Sequence, residues 1–148
     1  MSNTLDFSPE FTEEDFTSRH QKVFFKYYNK IKGGRKMPAR SDINPADIVK
    51  VLPHLILIEI VDNDFIVRLM GTKCANVLGE STGKSLKSNA GSTDAIRRFK
   101  WCAKNKRPYF HKKPLDKNNK HGSSSAVVMP LSENDEDVNM FVLIHHFY

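Results

Sequence analysis

Leu55-Ile56-Leu57-Ile58-Glu59-Ile60-Val61, then Asp62-Asn63-Asp64, then Phe65-Ile66-Val67-Arg68-Leu69-Met70, is the stretch on which the fold of this chain turns. Branched and aromatic side chains suit a pleated, half-buried surface, and the Asp/Asn cluster supplies a tight reversal, so the run reads as a β-hairpin. With Asn63-Asp64 as a two-residue turn, Glu59 stands opposite Arg68. Period-two alternation puts Arg68 on the same face as Ile66 and Met70. If that face is the inner one, the desolvated guanidinium suits a ligand carboxylate held through two hydrogen bonds; an ion pair with Glu59 is the simpler reading and the preferred one.

Upstream of the hairpin the period is helical. Residues 1–10 read as a loose leader, and Thr12-Glu13-Glu14-Asp15 as an N-cap with acids in the first turn, opening a helix over 12–32. Phe16, His20, Val23, Phe24, Tyr27 and Ile31 recur on one side, and Gly33-Gly34 ends the helix. A linker over 33–53 follows, with a short helix announced by Asn44-Pro45 and bounded by Pro53.

Downstream, Gly71, Gly79 and Gly83 punctuate a stretch in which residues 74–78 are the best candidate for a short helix. A longer helix is predicted from Ser92 to about Lys106, with Ala95, Ile96, Phe99, Cys102 and Ala103 on one side and Arg97, Arg98, Lys100 and Lys104 around the rest. Three strands are expected to close the chain, near 109–115, 123–131 and 138–147. The order implies an α+β domain: a five-stranded antiparallel sheet with helices on one face, preceded by an amphipathic helix.

At 148 residues the chain is long enough for one domain with one modest core, and 39% hydrophobic with 27% charged residues is ordinary globular composition. No apolar run reaches membrane-spanning length and the start lacks the pattern of a signal peptide, so a cytoplasmic protein without membrane insertion is expected. Cys74 and Cys102 form no C-x-x-C pair and read as free thiols. The net charge of +6 is unevenly spread: residues 97–120 hold ten Lys/Arg and one acid, Asp116, while acids cluster at 6–15 and 133–137. A basic helix over 97–106 is thus a nucleic-acid candidate, ranked behind an ordinary solvated surface.

The element order is similar to the PAS fold, and particular residues extend the comparison. Gly34-Arg35-Lys36-Met37-Pro38-Ala39-Arg40-Ser41-Asp42-Ile43-Asn44-Pro45 fits G-R-x-M-P-x-R-x-D-[IL]-x-P. Leu52-Pro53-His54 leads into the hairpin, and Arg68-Leu69-Met70-Gly71-Thr72 leaves it. The chain resembles a bacterial PAS-like family common in alphaproteobacteria, over most of residues 17–148. The resemblance implies a non-enzymatic sensory or signalling module that binds a small apolar ligand, a partner protein, or both. A dimerisation module with a filled core is the alternative. Read physically, Arg35 and Arg40 are expected to tie the linker to Asp42 or Asp47.

Neither a flavin nor a haem is indicated. Cys74 lies outside the run that flavin-binding PAS proteins carry, and the long helix contains no axial histidine. His145 and His146 point to opposite sides of a strand, and His111 and His121 are isolated, so no metal site is read. No catalytic motif is present, Ser123-Ser124-Ser125 having no base beside it, and no enzyme is expected. Trp101, set among arginines and lysines, is expected to pack against the N-terminal helix or a second subunit rather than to stack on bases. The candidate pocket comprises Ala95, Phe99 and Cys102 from the long helix with Arg68, Met70, Met129 and His145 from the sheet; the strand register leaves the face open. The stripe Phe16, Val23, Phe24, Tyr27 and Ile31 is too apolar for water, so a homodimer with Phe24 and Tyr27 near the axis is expected, intramolecular packing on the sheet being the close competitor.

Overall fold

The computed structural model describes residues 5–88, 92–115 and 119–148; Asp116 and Lys117 of the basic stretch, and the first four residues of the leader, lie outside them. The hairpin is built as expected from β1 (Leu55–Val61) and β2 (Asp64–Met70). Its turn is one residue earlier than predicted. Asp62 and Asn63 both take positive φ, 49° and 65°, and Val61 pairs with Asp64. Two left-handed residues match the twist of the flanking strands, and Asp and Asn tolerate that conformation best among residues with side chains. The ladder then slips: Ile58 faces Val67 but Leu57 faces Leu69, so Arg68 is the extra residue of a β-bulge. The bulge separates Arg68 from Met70, which the simple alternation had placed together.

Helix α1 (Arg19–Lys32) precedes the hairpin, and α2 (Thr72–Leu78) and α3 (Thr93–Asn105) follow it. Strands β3 (Tyr109–Pro114), β4 (Ser123–Leu131) and β5 (Met140–Phe147) complete an antiparallel sheet of order β2-β1-β5-β4-β3. One face, carrying Ile56, Ile58, Phe65, Val67, Val128, Phe141 and Leu143, packs under α2 and α3 around Cys74, Phe99 and Cys102. The opposite face, carrying Leu55, Leu57, Val127, Met129, Leu131, Val142 and Ile144, packs under α1 and the linker around Phe16, Phe24, Tyr28, Ile43 and Ile48. Both faces are therefore covered, which is why residues 126–131 of β4 and 140–144 of β5 read as unbroken apolar runs.

Helix α1 begins later than predicted. Glu13–Asp15 forms only a 3₁₀ turn, in which the Asp15 carboxylate accepts the Thr12 N–H at 2.8 Å. The buried stripe of α1 is Gln21, Phe24 and Tyr28, rotated from the predicted one, and Val23 is 44% exposed. Gln21 explains the rotation. Its Nε2 donates to Ser125 Oγ at 3.0 Å and to the Ile144 carbonyl at 3.2 Å, while its Oε1 accepts the Thr17 N–H. An amide so satisfied is as much at home in a core as a hydrocarbon. Tyr28 OH donates to the Pro130 carbonyl at 2.6 Å. Phe16 and Phe24 are thus buried within their own chain, the intramolecular competitor to the expected dimer contact; Tyr27 OH accepts the Asn44 N–H at 2.8 Å, and Ile31 is half-buried against the same cluster.

The linker is a folded strap. Arg35 donates to the Ile31 and Lys32 carbonyls at the end of α1 and pairs with Asp42 at 2.8 Å. Arg40 reaches the Ile43 carbonyl, at 3.5 Å, and among the described residues forms no ion pair with Asp42 or Asp47. Asp135, between β4 and β5, accepts the N–H groups of Lys36 and Met37, and Met37 is wholly buried. Gly71 is required by proximity. A Cβ there would lie 2.3 Å from the Leu52 carbonyl oxygen and 2.4 Å from that of Pro53. The Leu52-Pro53-His54 turn and the Arg68–Thr72 segment are two halves of one joint.

Residues 5–10 are not loose. Phe7 is buried, edge-on to Trp101 at 5.0 Å and 4.7 Å from Tyr109, while Ser8 exchanges backbone hydrogen bonds with Phe110 along the outer edge of β3. Residues 83–85 do likewise on β2, where Val67 N–H donates to Lys84 and Gly83 N–H to Val67. Trp101 therefore packs on the leader rather than on α1, with Arg107 over its ring at 5.6 Å.

Removing residues 1–32 strips Phe7, Phe16, Phe24 and Tyr28 from both faces, a loss on the order of 5–10 kcal/mol, comparable to the stability of a whole domain. The truncated chain is expected to lose its near-ultraviolet circular dichroism and to aggregate in light scattering. Gly71→Ala is expected to destabilise by about 1–3 kcal/mol or more in urea titration. Gly34→Ala, where nothing lies within 4 Å of the added Cβ, should be nearly neutral.

Candidate functional site

Because α3 packs along only part of the sheet, a cleft of about 270 Å³ remains between it, the α2–α3 connection and the sheet. Its floor is apolar, made by Ile56, Ile58, Val67, Val128 and Leu143; Ala95 and Phe99 of α3 form one wall and Met70, Leu78 and Leu86 the rim. Of the residues expected from sequence, Met70, Ala95, Phe99 and His145 meet here.

Three others do not. Met129 is on the α1 face of the sheet, since β4 offers Ser124, Ala126 and Val128 to the cleft and the intervening residues to α1. Cys102 is one turn beyond Phe99 and completely buried behind the wall, its Sγ donating to the Arg107 carbonyl at 3.3 Å. Arg68, the bulge residue, points away from α3 and pairs with Glu59 at 2.6 Å, both half-exposed. The pair forms although the two are not direct ladder partners, because Glu59 faces Ile66 and the bulge swings Arg68 back toward it.

Sequence reasoning missed the polar end of the cleft, where Arg98, His111, Lys113 and Ser124 join His145. Arg98 lies on the buried stripe of α3, three residues after Ala95, and is only 7% exposed. Its Nη1 bonds Asp6 of the leader at 2.7 Å, and Asp6 also holds Arg97 at 3.1 Å. The alternation of β3, Tyr109 then His111 then Lys113, was the signal available in the sequence. It was masked by the adjacent lysines, which read as surface.

Positive charge prevails at this end, with Asp6 and Asp94 opposing it from beside the cleft. Burial, reinforced by Lys113 and His111, pushes His145 down to about 3. Burial, with Arg98 and Lys113 adding, pushes His111 down to about 4, and burial and Arg98 lower Lys113. Among the described residues the buried Nδ1 atom of His145 has no hydrogen-bond partner. The thiols are inert by contrast: burial raises Cys74 to about 12 and Cys102 further. Across the sheet, His20 stacks on His54 at 3.7 Å, and burial together with the His20 and His146 rings pushes His54 down to about 4.

A family model described as PAS domain matches residues 16–90, about half of the chain, spanning α1, the linker strap, the hairpin and α2. The chain belongs to the PAS domain family. The sheet and helices beyond the matched residues complete the same α+β architecture. No curated protein matches the chain. Among the described residues no helix is long and apolar enough to cross a membrane, and no group of three or more His, Cys, Asp or Glu is placed to hold a metal ion.

The histidines make stability depend on pH with a definite sign. In the unfolded chain they titrate near 6.5, whereas His54, His111 and His145 stay neutral in the fold down to about 4, 4 and 3. Below about pH 6.5 the unfolded state takes up protons that the folded state refuses, so stability falls with pH. The melting temperature is expected to drop between pH 7 and pH 5. His145→Gln should flatten that slope by on the order of 1–2 kcal/mol at pH 5, as read from urea titrations at both values.

Proposed function

We propose that this chain is a non-enzymatic PAS sensory module that takes a small ligand in the cleft beneath α3 and passes the occupied state to a partner protein or to a second copy of itself. The observation that carries the reading is the cleft: about 270 Å³ bounded by Met70, Phe99 and Leu86, near the lower end of the range for small-molecule sites. Methionine, leucine and aromatic walls adapt to a guest, and the polar groups gather at one end, which suits orientation of a bound molecule. Filling the cleft would press on α3, whose N-terminal half contacts the leader through Arg97 and Arg98, giving occupancy a route to the surface. The Gly34–Pro45 segment supports a place in the alphaproteobacterial branch of the family, and a cytoplasmic setting fits the same reading. Nucleic acid is not part of this reading, since Arg97 and Arg98 of the basic helix are engaged by Asp6 and Asp94, and Arg107 just beyond it by Glu10. With Phe24 buried, self-association has Val23 and the exposed side of α1 to draw on.

The test is a thermal-shift screen of small amphiphiles against the wild type and Ala95→Phe, which fills the cleft from its wall, alongside native and denaturing mass spectra of freshly purified protein. At least one compound is expected to raise the melting temperature of the wild type by several degrees and to leave the variant unchanged. Binding that Ala95→Phe does not affect, or no binding at all, refutes the cleft as the sensory site.

A further inference from the structure

The cleft has a chemical polarity that its apolar floor does not require. Arg98, His111, Lys113 and His145 converge at one end, and no Asp or Glu stands among the described residues that line it. Asp6 and Asp94 lie instead in an adjoining hollow that shares Ala95, Arg98, His111 and Lys113 with the cleft. Asp6 engages one guanidinium nitrogen of Arg98 and the Tyr109 hydroxyl also meets this guanidinium, which carries five N–H donors in all. Among the described residues Lys113 forms no ion pair, although it stands close enough to the other basic groups to depress their protonation. The end thus carries one cation without an ion pair among the described residues, a guanidinium only partly engaged by Asp6, and two histidines, with His145 Nδ1 unpartnered among the described residues. A bound negative charge answers these groups as an apolar guest does not.

Resting on the ligand-cleft reading above, we propose that the ligand is a small amphiphilic carboxylic acid in its ionised form. Its carboxylate lies between Arg98, Lys113 and the two histidines, and its hydrocarbon part over Ile58, Val67 and Phe99. A carboxylate accepts up to four hydrogen bonds, matching the Arg98 fork, the Lys113 ammonium and an imidazole N–H. The volume sets the size. At about 30 Å³ per water-sized group, 270 Å³ holds roughly nine or ten non-hydrogen atoms, which is a straight chain of seven or eight carbons or a short aryl acid. The tail of a longer acid would extend past the rim of the cleft. Phosphorylated ligands fit poorly, because their bulky head would fill most of the space that the apolar floor offers.

The proposal is tested by calorimetric titration with octanoate, with 1-octanol as the neutral counterpart and octylamine as the cationic one, all below their aggregation limits. Octanoate is expected to bind the wild type at least tenfold more tightly than octanol, with octylamine not binding. Lys113→Gln, at the cleft mouth where the fold does not depend on it, should weaken octanoate about fivefold or more and leave octanol unchanged. His145→Gln should weaken octanoate less. Lys22→Gln, on α1 across the sheet, should change neither, and Ala95→Phe should abolish both. Octanol binding as tightly as octanoate, with Ala95→Phe still blocking it, overturns the carboxylate assignment and leaves the cleft as a neutral-ligand site. A loss on Lys113→Gln that is equal for octanoate and octanol overturns it too. Binding of no probe, or binding that Ala95→Phe does not block, overturns both readings together.

Discussion

Everything in this molecule follows from a sheet that must be kept dry on both sides. Strands β4 and β5 lie inside the sheet and carry apolar residues at both parities, so neither face can be given to water. Two covers are needed and the chain supplies them in order: leader, α1 and strap before the hairpin, α2 and α3 after it. The α1 side is sealed, with Phe24, Met37 and Tyr28 at 1% exposure or less. The α3 side is sealed only in part, and the cleft is the part left over. A domain with one solvated sheet face would have no use for α1; here it covers Leu57, Val127, Val142 and their neighbours.

Polar groups decide the details that hydrophobicity leaves open. Gln21 fixes the rotation of α1 by bonding a strand hydroxyl and a strand carbonyl. Tyr28 ties the same helix to Pro130, and Asp135 ties the strap to the turn before β5. Each of these bonds joins segments about a hundred residues apart in sequence, and each removes a way in which two apolar surfaces could slide over one another.

The elements themselves were legible in the sequence because their periods are clean: the hairpin from Leu55 to Met70, α3 from its apolar spacing, the closing strands from their turn signals. Face assignments were not. In β4, Val127, Val128 and Met129 are all apolar, so nothing local says which of them meets α3, and Met129 went to the wrong side. In β2 a single bulge at Arg68 reversed the parity of everything after it, moving Met70 into the cleft while leaving Arg68 outside. The apolar spacing of α1 points to Val23 and passes over Gln21, whose place in the core is set by Ser125 and the Ile144 carbonyl, both distant in sequence. The polar end of the cleft was missed for the same reason: Arg98 and Lys113 carry charges, and a charge in a sequence is read as surface until its neighbours in space are known. The leader was read as loose because Phe7 stands alone among polar residues, and only Trp101 and Tyr109, distant in sequence, give it a place to bury.

The two border strands carry a further implication. The free side of β3 is taken by Ser8, and that of β2 by residues 83–85, so each outermost strand is already partnered along part of its length by its own chain. The remaining length is interrupted by the bulge on β2 and by Lys112, Lys113 and Pro114 on β3. Such borders offer no flat row of free amides to a neighbouring molecule, which is the usual route by which isolated sheets grow into extended β-assemblies. Continuation of the sheet from one molecule into the next is therefore disfavoured at both borders.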